Sequence, residues 1–251
     1  MLKYTETNWL YEEGLETHDY QITFEQVKSQ NTVEEQKKRA ERLSLVMLFD
    51  DNESNRFFEI SRRFQKNNEY FYFDRNKKFH TTLLGLPAVE PACYKPIREK
   101  IKQYSYEMPP KNMNIKFDLI RLGTKYENNN TLKPVPSVSN GTIIASGNIQ
   151  HNQDFITFGN HLASFLLEDK NLNSIIGRKF RRRFPTVWCT MGNYTTDFKI
   201  TIELERLFDE YKNLDSEYFQ IPCYELELGT SHYKDLRDWK RIEVFSLQYS
   251  H

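Results

Sequence analysis

Apolar positions along the chain fall into short runs whose spacing switches between a strand's period and a helix's. Leu43 to Phe49 is an almost unbroken apolar run of strand length and predicts a buried strand. Asp50, Asp51 and Asn52 end it and supply caps for a helix from about Glu53 to Gln65. There Phe57, Ile60 and Phe64 fall three and four residues apart on one stripe. Lys78 to Leu86 predicts a second strand, Pro87 and Pro91 break the chain, and Tyr94 to Tyr106 predicts a second helix. Ile115 to Leu122 alternates as a half-buried strand. Residues 126–140, rich in Asn, Pro and Ser, read as a loop before a strand at Thr142 to Ser146. The order then repeats, with an apolar-striped helix at Phe155 to Leu167, a strand at Val187 to Gly192 and a striped helix at Ile200 to Tyr211. Strands at Cys223 to Leu228 and Ile242 to Leu247 close the chain. Two similar halves, each closed by a strand pair, give α+β or mixed α/β with two lobes.

Residues 1–42 stand apart from this pattern. The first thirty carry Glu6, Glu12, Glu13, Glu16, Asp19 and Glu25 against Lys3 and Lys28, and read as an N-terminal extension lying on the main domain. Thr32 and Glu35 form a capping box for a short helix that ends near Glu41. Residues 43–251 are then one bilobal domain. With 18 Phe, 15 Tyr and 3 Trp the chain has ample material for a core, which argues against long disorder. Thirty-five basic residues balance thirty-five acidic ones, which excludes a binder that holds nucleic acid by bulk charge but leaves room for a local basic patch. Cys93, Cys189 and Cys223 have neither disulfide-framework nor zinc spacing. No apolar stretch reaches the length of a signal peptide's core or a membrane span, so a reduced, cytoplasmic monomer away from membranes is expected. With only nine glycines, the chain has neither a glycine-built phosphate loop nor a Gly-x-Ser-x-Gly elbow.

The string that carries chemistry is Phe79-His80-Thr81-Thr82-Leu83-Leu84-Gly85-Leu86. On a strand, His80 and Thr82 share one face, while Phe79, Thr81 and Leu83 point the other way. An imidazole beside a hydroxyl can hold a phosphate oxygen and move a proton at neutral pH. The motif, set in the order strand, helix, motif strand, helix, strand, strand, resembles the first lobe of the 2H phosphoesterase superfamily, which includes RNA 2′,3′-cyclic phosphodiesterases once called 2′-5′ RNA ligases. The resemblance covers about residues 43–249. It implies an α+β fold of two pseudo-symmetric lobes, antiparallel-rich sheets and outer helices around a central cleft, each lobe giving one His-x-Thr motif. It also implies cyclic phosphodiester hydrolysis with no metal or cofactor, on a 2′,3′-cyclic phosphate RNA end or a cyclic nucleotide.

The second motif falls in Pro185 to Tyr194 and departs from the pattern. One register puts Trp188 at the second His position and Thr190 at the Thr position; the other puts Thr186 and Trp188 there. Neither supplies a second His. The resemblance implies His80 as acid or base, with Thr82 and Thr190 as phosphate donors. Trp188 offers a ring for a base or sugar face, or fills the cleft. Tyr194 and His232 are candidates beside it, His232 as a replacement acid. Arg181 and Arg183, in the run Arg178 to Arg183, read as a basic lip for RNA or as a solvated face neutralised by the acidic extension. Arg121 reads as a surface residue, and Cys189 as a buried small hydrophobe rather than a nucleophile. The alternative function is a catalytically impaired relative that binds a nucleotide, RNA or a protein partner through the same cleft.

Overall fold

The computed structural model describes residues 21–22, 41–67, 71–86, 88–107, 113–122, 125–126, 132–133, 142–177, 187–194, 198–199, 201–215, 217–233 and 236–247. The expected Thr32 capping box and the basic run at 178–183 lie outside them. In the extension, Gln21–Ile22 (β1) pairs antiparallel with Phe198–Lys199.

The first strand, Arg42–Leu48 (β2), leads into the helix Asp51–Asn67 (α1). Asp50 and Glu53 cap that helix reciprocally. The Glu53 amide donates to Asp50 Oδ1 at 2.8 Å, and the Asp50 amide donates to Glu53 Oε2 at 3.0 Å. Phe57, Ile60 and Phe64 face the core, as their spacing requires. Phe71–Tyr72 (β3) and the motif strand His80–Gly85 (β4) follow, then a helix at Tyr94–Glu107 (α2). The alternating stretch predicted as one strand, Ile115 to Leu122, is two, Met113–Lys116 (β5) and Leu119–Leu122 (β6). The chain changes sheets between them, and Phe117 and Asp118 donate their amides to Phe219 and Ser146. Within the predicted loop, Lys125–Tyr126 (β7) pairs with Leu132–Lys133 (β8).

Thr142–Gly147 (β9) ends the first half, and Gln153–Glu168 (α3) and Lys170–Ile176 (α4) open the second. Helix α4 is missing from the sequence reading, although Asp169 caps it through the amides of Asn171 and Leu172. Val187–Tyr194 (β10), Phe198–Lys199 (β11) and Ile202–Glu210 (α5, capped by Thr201) follow. The predicted closing strand at Cys223 to Leu228 is two, Gln220–Cys223 (β12) and Glu225–Ser231 (β13), and Lys240–Ser246 (β14) ends the sheet.

Two four-stranded antiparallel sheets result, in the orders β14-β13-β2-β4 and β3-β10-β9-β6. The closing strand pairs are exchanged: the first half's pair β6–β9 lies beside β10, and the second half's pair β13–β14 lies beside β2. This corrects the reading in which each strand pair closes its own half. The exchange runs through β5 and β12, which pair with each other around Ile115 and Ile221.

The core lies between the sheets and helices. Phe57 is its hub, with the rings of Phe49, Phe79, Phe117 and Phe219 at 5.3, 5.5, 5.5 and 5.7 Å. These rings come from both halves of the chain, so one apolar cluster holds both sheets. Among the described residues no helix is long and apolar enough to cross a membrane. Truncating the hub leaves a cavity that four rings cannot fill by small shifts. Phe57→Ala is therefore expected to cost about 3–5 kcal/mol in a denaturant titration of the whole chain.

Candidate functional site

Strand β4 keeps the predicted alternation from Phe79 to Leu83. Phe79, Thr81 and Leu83 are buried, while His80 and Thr82 are half-buried on the opposite face. His80 stands opposite Leu48 and Thr82 opposite Val46, and a bulge at Leu83 ends the regular register. His80 Nδ1 lies 2.8 Å from the Lys78 carbonyl oxygen. A carbonyl only accepts, so Nδ1 carries the proton, and in the neutral ring Nε2 is the basic nitrogen.

Strand β10 runs beside β4. Trp188 stands opposite Ser146 and Leu119, and Thr190 opposite Ile144 and Arg121, across β9 and β6. Residues directly opposite in an antiparallel sheet share a face, so Trp188 and Thr190 lie on one face. Both are half-buried, and Val187, Cys189 and Met191 turn to the core. Burial pushes the Cys189 thiol up to about 12, which keeps it protonated and makes it a poor nucleophile.

Two contacts join the motif strands. Thr81 Oγ1 donates to the Trp188 carbonyl at 3.3 Å, and the His80 backbone N–H meets the Cys189 sulfur. A shift of 108 residues carries His80 onto Trp188 and Thr81 onto Cys189, and each contact sets a side chain at one of these positions against the backbone at the other, a carbonyl in the first and an N–H in the second. The same shift relates His80 to Trp188 and Thr82 to Thr190, so that each strand carries one of the two outward pairs, His80 with Thr82 and Trp188 with Thr190.

The outer face of each of the two sheets also carries buried apolar residues. Val46, Leu119 and Ile144 are buried but do not join the main core among the described residues. Arg121, expected at the surface, is 0% exposed. It shares a row with Ile144 and Thr190 but sits on β6, the edge strand of its sheet.

The link between β13 and β14 also folds over this face. The Trp239 indole N–H donates to buried Glu227 at 2.9 Å, and the ring lies where a Cβ on Gly229 would stand. Glu227 shares the row of Val46 and Thr82. Leu236 holds a positive φ of 54° at a turn in the link, a conformation that is costly for a branched side chain. Arg237 pairs with Asp74 at 2.6 Å, both side chains being 17% exposed, in the segment that leads into His80. Tyr72, beside Asn193 on β10, donates its hydroxyl to the same carboxylate at 3.1 Å. Burial raises the Asp74 carboxyl, but the Asn76 amide, the Arg237 charge and the Tyr72 hydroxyl outweigh it and hold it below its usual range. No motif marks Asp74, Tyr72 or Arg237 in the sequence, because 163 residues separate the two partners of the ion pair.

His232 is not brought beside His80. It follows Ser231, which stands opposite Arg42, whereas His80 stands opposite Leu48 at the other end of β2. Six strand steps, about 20 Å, separate those two positions. His232 Nδ1 instead lies 2.8 Å from Asp238, whose carboxylate also accepts from the Ser231 hydroxyl. The backbone of Tyr194 pairs with Phe71, and its side chain lies outside the described set. Arg181 and Arg183 lie outside the described residues.

No family model matches the sequence, and no curated protein matches it. Among solved structures, a protein of Thermus thermophilus aligns with a TM-score of 0.52 at 12% identity, over 84% of this chain and 100% of its own. E. coli LigT in its apo form aligns at 0.49 and 12% identity, over 82% and 97%. E. coli LigT complexed with 3′-AMP aligns at 0.48 and 12% identity, over 83% and 99%. The likeness to the Thermus thermophilus protein is one of fold: α+β, with antiparallel sheets and helices.

The Asp74 carboxyl is lowered in the folded chain, so its contribution is present above the unfolded carboxylate pKa, about 3.9, and is lost as pH falls through the folded value. The stability of the wild type is expected to fall below about pH 4. Asp74→Asn should show a shallower acid limb in urea titrations run across that range.

Proposed function

We propose that the chain is a phosphodiesterase-like protein that acts on a 2′,3′-cyclic phosphate end of RNA or on a cyclic nucleotide, with His80 as its proton-transfer group. The observation that supports this reading is the contact of the two motif strands, Thr81 with the Trp188 carbonyl and Cys189 with the His80 amide, on strands whose other faces carry His80 with Thr82 and Trp188 with Thr190. The 108-residue correspondence of those positions favours the register that has Trp188 in the second His position.

In this reading neutral His80 takes a proton from an attacking water through Nε2. The water oxygen bonds to phosphorus, the bond to the 2′ or 3′ oxygen breaks, and that oxygen takes up a proton from solvent water. The hydroxyls of Thr82 and Thr190 donate to the non-bridging oxygens, where charge builds. No metal or cofactor takes part. A two-His site would have a second imidazole to protonate the leaving oxygen, whereas an indole has no proton to exchange at neutral pH. Loss of one general acid or base typically costs ~10²–10⁴ in rate, so turnover is slow. Arg181 and Arg183 supply positive charge for a polyanionic substrate, and Tyr194 a further contact. His232 stays outside the proton transfer.

Trp188 also favours a second reading, in which the same face binds a nucleotide or RNA by stacking and does not turn it over.

A panel of 2′,3′-cyclic and linear phosphodiesters, assayed with a chelator present, separates the two. Slow wild-type turnover that falls by at least ~10²-fold in His80→Ala is expected, and unchanged turnover in that variant would sink the assignment. Trp188→His should raise the rate by ~10²–10⁴ by restoring the missing group. Binding of the panel without turnover in either protein would select the second reading.

A further inference from the structure

We propose that Lys77 is a positioning residue: its ammonium holds the bulge of β10 and so sets the Thr190 hydroxyl against His80. The proposal rests on the phosphodiester reading of that face.

Lys77 lies three residues before His80 and is 6% exposed. Its Nζ donates to the carbonyls of Thr190 and Met191, the latter at 2.8 Å, and stands 4.4 Å from the centre of the Phe79 ring. In a regular strand consecutive carbonyls point to opposite sides, so one ammonium does not reach both. The register of β10 against β9 shifts between Thr190 and Gly192, and this bulge turns the two carbonyls toward Lys77. The Ser61 hydroxyl donates to the Met191 carbonyl as well, at 3.1 Å. On the other side Gly192 lets β3 close in, because a Cβ there would stand 2.3 Å from the Phe71 ring.

A bulge re-aims the side chains on either side of it. Thr190 is the last residue before the shift, so its hydroxyl direction depends on where the bulge sits. Lys77 joins that bulge to the segment that begins β4, and the distance between His80 and Thr190 is thereby set through one short stretch of chain. Asp74 and Cys189 both lie within the ammonium's field. An apolar side chain would fill the space at less cost in desolvation. A buried charge aimed at two carbonyls is costly to keep unless its geometry matters.

Lys77→Met keeps the length and removes the donors, and Lys77→Arg keeps a cation. The probe is 2′,3′-cyclic AMP. Lys77→Met is expected to stay folded by circular dichroism and to shift the backbone amide signals of residues 189–193. It should bind or turn over the probe at least about 10-fold less well, since small misplacements of a reacting group carry penalties of that order or more. The loss should appear in kcat more than in KM, with partial rescue in Lys77→Arg. Unchanged amide signals with unchanged probe affinity and turnover would overturn the proposal. If the wild type neither binds nor hydrolyses the probe, the phosphodiester reading has failed. A crystal structure of Lys77→Met then decides: a displaced bulge supports the positioning role, and an unmoved one removes it. Should Lys77→Met not fold, the Nζ signal of Lys77 in the wild type carries the test. It is expected to shift when the probe is added, and a signal that does not move would overturn the proposal.

Discussion

The structure depends on the place where β4 and β10 run side by side. Each strand gives the other one side chain against its backbone, Thr81 to Trp188 and Cys189 to His80. These contacts are modest alone, but they lie on the core side of both strands, where Phe79, Leu83, Val187 and Met191 are packed among rings from the whole chain. Moving either strand by one residue would turn its apolar set outward and its polar set inward. The crossing is therefore held by the burial of the core, and the outer rows that carry His80, Thr82, Trp188 and Thr190 inherit its precision. Lys77 extends the same junction by three residues and ties it to the bulge.

Exchange of the closing strands makes the two lobes one folding unit. The pairs β6–β9 and β13–β14 each extend a sheet that holds a strand of the other half, β10 and β2, and β5 and β12 pair on the way across. Neither half buries its own sheet edge or core without the other. The Phe57 cluster shows the same dependence, since Phe49 and Phe79 come from one half, Phe219 from the other, and Phe117 from the crossover itself. A site built across the junction is thus supported from both sides by packing rather than by a hinge.

The outer face is more covered than a bare pair of motif strands would leave it. Arg121 is buried beneath it, Val46 and Ile144 are out of water, and the β13–β14 link is pinned over it through Trp239 on Glu227 and Arg237 on Asp74. Charged groups out of water are stable only when paired or hydrogen-bonded, so these contacts constrain the segment that leads into His80. The same pinning keeps His232 at the far end of the sheet, engaged with Asp238. Strand-like alternation alone gives no measure of such distances along a sheet.

Periodicity and local capping determined much by themselves. The stripe of Phe57, Ile60 and Phe64, the run from Leu43 to Phe49 and the alternation around His80 each bury one face regardless of partners, so strand, helix and outward-facing residues were legible. Breaks at Phe117–Asp118 and Tyr224 were not legible, because alternation continues through a change of sheet and only the pairing partner differs. Lys77 sits in the charged stretch Asp74 to Lys78, just ahead of the motif strand, and Arg121 in a strand that reads as ending at the surface. Both are buried only because another part of the chain packs over them. The sequence therefore decided which side chains leave the core on each motif strand. The tertiary structure decided which of them meet, because register between β4 and β10 and the exchange of β6 and β13 are set by long-range burial that no local window contains.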